Sequence, residues 1–206
     1  MKIVKISTGV LSVNTFLLIN EDLNECIIID SGEDYQKVKS VLDDLGVKAK
    51  YLLYTHAHFD HIGNAHLFQK DGLKAYISDI DAKKLITDEH LGFMYRRNFT
   101  SFTPDKTFTD GEELDLLGIK IKVILTPGHT TGSVCFIVEN NIFSGDTLFK
   151  DSIGRTDFPS GDYTELERSV KHLYKLPGDF TVYAGHGEDT TLSRERVYNM
   201  FIREND

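Results

Sequence analysis

Thr55-His56-Ala57-His58-Phe59-Asp60-His61 follows the apolar run Tyr51-Leu52-Leu53-Tyr54 and precedes Gly63-Asn64-Ala65-His66-Leu67-Phe68-Gln69. The apolar run reads as the end of a buried strand (Ala49 to Tyr54), and the segment from Gly63 reads as a helix. Between them lies a polar turn carrying three imidazoles and a carboxylate, all metal-ligand chemistry. A ligand-dense turn at a strand end is where α/β proteins place their chemistry, since the strand fixes the turn while the loop stays accessible. In an extended segment His56 and His58 share one side.

Outward from this turn the chain alternates strands and helices. Lys2 to Ile6 and Asn14 to Asn20 read as strands, and Glu21 to Asn24 supplies turn residues. Cys26-Ile27-Ile28-Ile29 is apolar on both faces, which predicts a central strand. It ends at Asp30-Ser31-Gly32, a carboxylate at a strand tip. Tyr35, Val38, Val41, Leu42 and Leu45 follow helical spacing up to Gly46. Leu73 to Ile77 reads as a strand and Ser78 to Asp81 as a capped helix start. Residues 88–106 show no periodicity but hold Phe93, Met94, Tyr95, Phe99 and Phe102. They read either as a loop over a cleft or as a cover for the edge of the core.

The second half mirrors the first. Glu112 to Gly118 and Ile119 to Leu125 predict a hairpin, the latter with one wet face. Ser133 to Glu139 and Ile142 to Ser144 predict another. A helix over 163–174, a strand over 180–183 and a helix from Ser193 complete the pattern. Two rounds of strands and helices predict an α/β fold, a four-layer arrangement of two sheets with helices outside. Residues 1–206 read as one domain, because no stretch is rich enough in Pro, Gly and Ser to mark a linker.

Composition narrows the function classes. A net charge of −9 with no dense Lys/Arg run argues against nucleic acid as a partner. The N-terminus lacks the apolar core of a signal peptide, and no apolar run is long enough to span a bilayer. The expectation is a cytoplasmic protein with a small-molecule substrate and no membrane or nucleic-acid partner. Cys26 and Cys135 sit in apolar runs and form no Cys-x-x-Cys pair, so zinc ribbons and dithiol redox chemistry are excluded.

Three later strand ends also carry ligand-type residues beside a glycine: Pro127-Gly128-His129, Gly145-Asp146 and Gly185-His186. Five of the eight histidines occupy such turns. The others, His66, His90 and His172, read as ordinary helix or surface residues. His56, His58, Asp60, His61, His129, Asp146 and His186 supply more donors than one metal can use. Two divalent ions can use them: His56, His58 and His129 on one, Asp60, His61 and His186 on the other, with Asp146 between. Each ion would keep an open position, as catalytic rather than structural sites do. Zinc, iron and manganese all suit such donors. Asp30 reads either as a carboxylate that orients a ligand histidine from behind or as a simple cap of its own loop.

His56-Ala57-His58-Phe59-Asp60-His61 matches the His-x-His-x-Asp-His signature of the metallo-β-lactamase-fold hydrolases, and His129, Asp146 and His186 follow in that superfamily's order. The resemblance covers the chain from near residue 1 to about 198. It implies an αββα sandwich with the metals at one edge of the sheets. The stretches around Thr126-Pro127-Gly128-His129, Ser144-Gly145-Asp146-Thr147-Leu148-Phe149, Ile153-Gly154-Arg155-Thr156-Asp157-Phe158 and Gly185-His186-Gly187-Glu188 are most similar to glyoxalase II, the hydroxyacylglutathione hydrolases, in their short branch without a C-terminal helical domain. This implies thiolester hydrolysis by a hydroxide shared between the metals, with Asp60 ligating and orienting it, and Arg155 and Phe149 on the substrate side, although Arg155 reads equally as an internal partner of Asp157. Asp157 stands where that family has an aromatic residue, which separates the chain from the usual glutathione site. The persulfide dioxygenases share the fold and the Gly-Arg-Thr-Asp-Phe stretch. They use one iron at the positions of His56, His129 and Asp146, so they are the alternative reading, with hydrolysis of another small ester or lactone a further one.

Overall fold

The computed structural model describes residues 1–204. Its first half runs β1 (Lys2–Thr8), β2 (Val13–Asn20), β3 (Glu25–Ile29), α1 (Tyr35–Leu45), β4 (Lys48–Leu53), α2 (Phe59–Ile62), α3 (Ala65–Lys70) and β5 (Lys74–Ser78). A 3-10 helix (Asp81–Ile86) and β6 (Lys106–Phe108) follow. The second half runs β7 (Glu113–Leu116), β8 (Ile119–Leu125), β9 (Val134–Val138), β10 (Asn141–Gly145), β11 (Leu148–Phe149) and β12 (Ser152–Ile153). It closes with α4 (Tyr163–Tyr174), β13 (Thr181–Ala184), β14 (Thr190–Thr191) and α5 (Leu192–Tyr198).

The strands build two mixed sheets, ordered β1-β2-β3-β4-β5-β6 and β14-β13-β10-β9-β8-β7, while β11 and β12 form a separate small hairpin. In the first sheet β3 through β6 run parallel; in the second only β10 and β13 do. Phe16, Leu18, Ile27 and Leu53 of the first sheet pack against Ile121, Val123, Phe136 and Phe143 of the second, so the main core lies between the sheets. Val38 and Leu42 of α1 and Phe68 of α3 cover the outer face of the first sheet. Leu166, Val170 and Leu173 of α4 cover that of the second. This is the predicted αββα sandwich.

Local chemistry explains the borders. Asp34 accepts a hydrogen bond from Lys37 N to start α1, and Gly46 ends it at φ 67°. Asp162 accepts from Glu165 N at 2.9 Å to start α4. Strand β3 is central and buried, as its apolar run implied. Strand β8 keeps Lys120 and Lys122 in water but buries Val123 and Ile124 together, so its wet face ends before Ile124.

The structure departs from the sequence reading in the histidine turn, where residues 59–62 wind into a helical turn of their own. Asp60 and His61 therefore sit on a helix and project differently from His56 and His58, which lie on extended chain. The 88–106 segment serves both of its expected purposes. Phe102 is buried against Tyr54 at the core edge, while Tyr95 packs on Phe59 beside the site. Among the described residues no helix is long and apolar enough to cross a membrane.

Candidate metal centre

The turns that end β4, β8, β10 and β13 meet at one end of the sandwich. The two sheets are tied together there by Val134 N donating to Thr55 O at 2.9 Å and Asn14 Nδ2 donating to Ala184 O at 2.9 Å. Three groups of donor atoms form, each within 4.8 Å: His56, His58 and His129; His56, His61 and Asp146; and Asp60, His61 and His186. All seven sequence-predicted donors are thus brought together, in the two triads expected. Asp146 stands between them: its Oδ1 is 3.4 Å from His61 Nε2, and its Oδ2 is 3.5 Å from His129 Nε2 and 3.6 Å from His186 Nε2.

Hydrogen bonds behind the rings decide which nitrogens face inward. Asp30, at φ 52°, accepts from Thr55 N at 2.8 Å, Thr55 Oγ1 at 2.7 Å and His61 Nδ1 at 2.9 Å. His61 therefore presents Nε2 to the site. Thr55 Oγ1 has spent its hydrogen on Asp30, so His56 Nδ1 donates to it at 3.1 Å and His56 also presents Nε2. His129 Nδ1 donates to Arg155 O at 2.8 Å, leaving a lone pair on Nε2, which faces His58 Nδ1 at 2.9 Å. His186 Nδ1 donates to Leu11 O at 3.0 Å, and its Nε2 lies 3.3 Å from Asp60 Oδ2. Asp30 thus lies behind a candidate ligand, at the strand tip where the sequence put it.

Two glycines let these groups approach. Gly128 has φ 132°, and a Cβ on it would come within 2.2 Å of Leu166 N in α4. A Cβ on Gly185 would come within 2.2 Å of Asp146 Oδ1 and 2.9 Å of His61 Cε1.

The electrostatics are those of a cation site. Burial, reinforced by the imidazoles of His61, His58 and His129, lowers the pKa of His56 well below the usual histidine value. Burial and His129 do the same to His58. Burial also acts to lower His61, but the carboxylates of Asp60, Asp146 and Asp30 outweigh it and raise it well above that value. His186 is raised as well, Asp60 and Asp146 prevailing over burial. Burial would raise Asp146, yet His61, His186 and His129 hold it far below the carboxylate range. Inward-facing His56 Nε2 and His61 Nε2 and the buried Asp146 Oδ1 have no hydrogen-bond partner. Buried polar atoms left unpaired are costly. Neutral imidazole lone pairs and a carboxylate converging without partners fit divalent ions, which would complete them and displace protons from His61 and His186.

The site opens into a cleft of about 390 Å³. Its walls include Leu11, Phe59, Leu91, Tyr95, Phe149, Ile153, Arg155 and Phe158, so both predicted substrate-side residues line it. The Arg155 guanidinium is bound at both ends by Asp157, at 2.7 Å each, and lies 3.8 Å over the Phe158 ring. Tyr95 belongs to the 88–106 segment read as a loop over a cleft or a core cover, and Phe158 to the Ile153 to Phe158 stretch, but neither is assigned to the site from sequence, since nothing local distinguishes a wall aromatic from a core one. His66, His90 and His172 lie apart from the cluster, His90 stacked on Phe99.

A two-sheet sandwich with histidines and aspartates converging at the strand ends defines a class of metal-site enzymes, in the main hydrolases. The chain belongs to the metallo-β-lactamase superfamily, whose family model matches residues 8–186. A hydroxyacylglutathione hydrolase, GloC, of Haemophilus influenzae is 38% identical over 194 residues, covering 90% of this chain and 91% of its own. The solved BLEG-1 B3 metallo-β-lactamase superposes with a TM-score of 0.92 at 32% identity, covering 98% of this chain and 99% of its own. TTHA1623, solved in a di-iron-bound form, superposes with a TM-score of 0.87 at 30% identity, covering 97% of this chain and 100% of its own.

Proposed function

We propose that this protein hydrolyses small thiolesters of the hydroxyacylglutathione type at a centre of two divalent ions. The observation that carries this reading is the pair of donor triads joined at Asp146, completed by orphaned buried atoms that face inward. The hydroxyacylglutathione hydrolase and the di-iron-bound relative support it. His56, His58 and His129 would hold one ion and Asp60, His61 and His186 the other, with Asp146 shared. Bound there, the ions supply a lowered pKa for an attacking water and polarisation of the substrate carbonyl.

The remaining work falls to the chain's own residues. Asp60, a member of the second triad with Oδ2 3.3 Å from His186 Nε2, would also accept a hydrogen bond from the attacking water and orient it. Phe149, Phe158 and Tyr95 exclude bulk water and seat the apolar part of the thiolester. Beyond the candidate ligands, the cleft's proton donors are Tyr95, Ser152 and Arg155, and none is a carboxylic acid or an imidazole. A thiolate leaving group, with a thiol pKa of about 8.5, departs without such an acid, whereas an amine would need one. The Arg155–Asp157 pair is more than half exposed, and such pairs contribute little to stability because solvent screens them. A substrate carboxylate can therefore displace Asp157 from Arg155 at little cost.

The test combines metal analysis with three assays of one preparation: thiol release from S-lactoylglutathione, oxygen uptake with glutathione persulfide, and opening of a chromogenic cephalosporin. Two ions per chain with thiol release is the expected result. One iron with oxygen uptake would replace this reading with the dioxygenase one. Lactam opening alone would put the chain with lactamases instead.

A further inference from the structure

The two donor triads are braced by one carboxylate that the sequence points to and by a second that it does not. Asp30 braces His61 of the second triad directly and His56 of the first through Thr55. A second buried carboxylate, Asp81, serves the first triad alone. It is fully buried at the start of the 3-10 helix, and its Oδ2 accepts from Ala57 N at 2.8 Å and from Thr130 Oγ1 at 2.8 Å. Ala57 lies between His56 and His58, and Thr130 follows His129. One carboxylate thus fixes the backbone or neighbouring hydroxyl of all three histidines in that triad, across 24 and 49 residues of chain. Its Oδ1 is 2.8 Å from Lys84 Nζ, also buried, which donates onward to Ser160 Oγ at 2.9 Å in the loop that carries Arg155 and Phe158. The packing leaves no slack: a Cβ on Gly132 would come within 2.4 Å of Asp81 Oδ1.

Stability alone does not explain the pair. Two buried charges lose their hydration, and an apolar pair of the same volume is often as stable or more so. An apolar pair could not accept hydrogen bonds from the Ala57 N–H and the Thr130 O–H. We infer that Asp81, ion-paired with Lys84, is a positioning residue for the His56–His58–His129 triad and sets that triad's affinity for its metal ion. The inference rests on the proposed metal centre. Groups that orient ligands from behind typically change metal affinity by 10–100-fold when lost.

The variant Asp81→Asn/Lys84→Met removes both charges together, so neither is stranded, and keeps most of the volume. Asp30→Asn, which touches His61 directly and His56 through Thr55, is the control that reaches both triads. Cobalt(II) is titrated into chelator-treated protein, with affinities from chelator competition, the visible spectrum recorded at each step, and folding followed by circular dichroism. The expected result is one binding step weakened 10–100-fold in the double variant with an altered cobalt spectrum and the other step unchanged, against both steps weakened in Asp30→Asn. With S-lactoylglutathione, kcat should fall while KM holds. Two unchanged affinities in a folded double variant would overturn the role of Asp81, as would both steps weakening together in proportion to a lost fold. Should Asp81→Asn/Lys84→Met fail to fold, Lys84→Arg, which keeps the ion pair, must retain both wild-type affinities and Thr130→Val must weaken only the one step. Failure of either overturns the inference. A wild-type chain that binds no cobalt would overturn the metal centre itself, a result distinct from all of these.

Discussion

Asp30 Oδ2 and His61 Nδ1 lie 2.9 Å apart, both buried, and the same carboxylate accepts two further bonds from Thr55. Asp30→Ala would leave three donors buried without an acceptor, each costing about 1–3 kcal/mol. We expect chelator-treated Asp30→Ala to lose about 3 kcal/mol or more of stability in urea denaturation. A loss below about 1 kcal/mol would mean water replaces the carboxylate.

Asp146 is the donor that approaches both triads. Asp146→Ala should reduce bound metal to one ion per chain or fewer and lower kcat by at least about 100-fold, since the groups of a catalytic centre act as a unit. Metal content by atomic emission beside steady-state kinetics checks this. Full metal content with wild-type turnover would sink the binuclear mechanism.

The Arg155 side chain and its backbone have separable duties. The carbonyl receives the His129 Nδ1 hydrogen, while the guanidinium meets Asp157 at the surface. Arg155→Met should therefore leave stability nearly unchanged, because solvent screens an exposed pair. It should raise KM for a carboxylate-bearing thiolester while sparing kcat, the pattern of lost uniform binding. Asp157→Asn, which frees the guanidinium, should move KM the opposite way. Equal KM values in all three proteins would remove Arg155 from the substrate site.

Gly128 sits at φ 132° against the backbone of α4. An added methyl meets Leu166 N, not a yielding side chain. Gly128→Ala should cost about 2–3 kcal/mol, as overpacking does, and lower activity further because His129 is displaced with the turn. The denaturation midpoint and the activity of the folded fraction separate the two effects.

Burial pushes the Cys26 thiol up to about 12, with Glu25 adding to it, and the Cys135 thiol up to about 11. Both values are raised above the ordinary value of 9.0, so the folded state holds these protons more tightly than the unfolded chain. The stabilisation is complete below about pH 9 and is lost as the pH climbs toward 11–12. Neither thiol should react with Ellman's reagent at pH 8 in the native protein, and both should react in denaturant. Rapid native modification would contradict the burial.

The fold was legible because its long strands carry clean periods. The alternating Ile119 to Val123 shows a strand period, and the central run Cys26 to Ile29 reads as a strand from its shortness, its three β-branched residues and its flanking turn residues. The donors were legible because each lies in a turn after a strand, and three of the seven, His129, Asp146 and His186, adjoin a glycine. What escaped was short or distant. Strands β6, β11, β12 and β14 have two or three residues, too few to show a period. Residues 59–62 wind into a helical turn that their ligand spacing masks. Asp81 looked like a helix-start residue because its hydrogen-bond partners, Ala57 and Thr130, come from turns far along the chain.

The bonds that join the two sheets near the site have a mechanical meaning. Val134 to Thr55, Asn14 to Ala184 and Ser78 Oγ to Gly132 O at 2.7 Å bind the sandwich as a spine binds pages. At the far end Asn20 Nδ2 reaches Leu117 O at 2.8 Å from a half-exposed position. Breathing of the sheets should therefore pivot about the donor end and widen away from it. Amide exchange in chelator-treated protein should be slowest in the strand ends that carry the donors and fastest around the 21–24 and 139–140 turns. The cage would then await its ions already assembled, and loading would proceed at the pace of diffusion through the cleft, not of refolding.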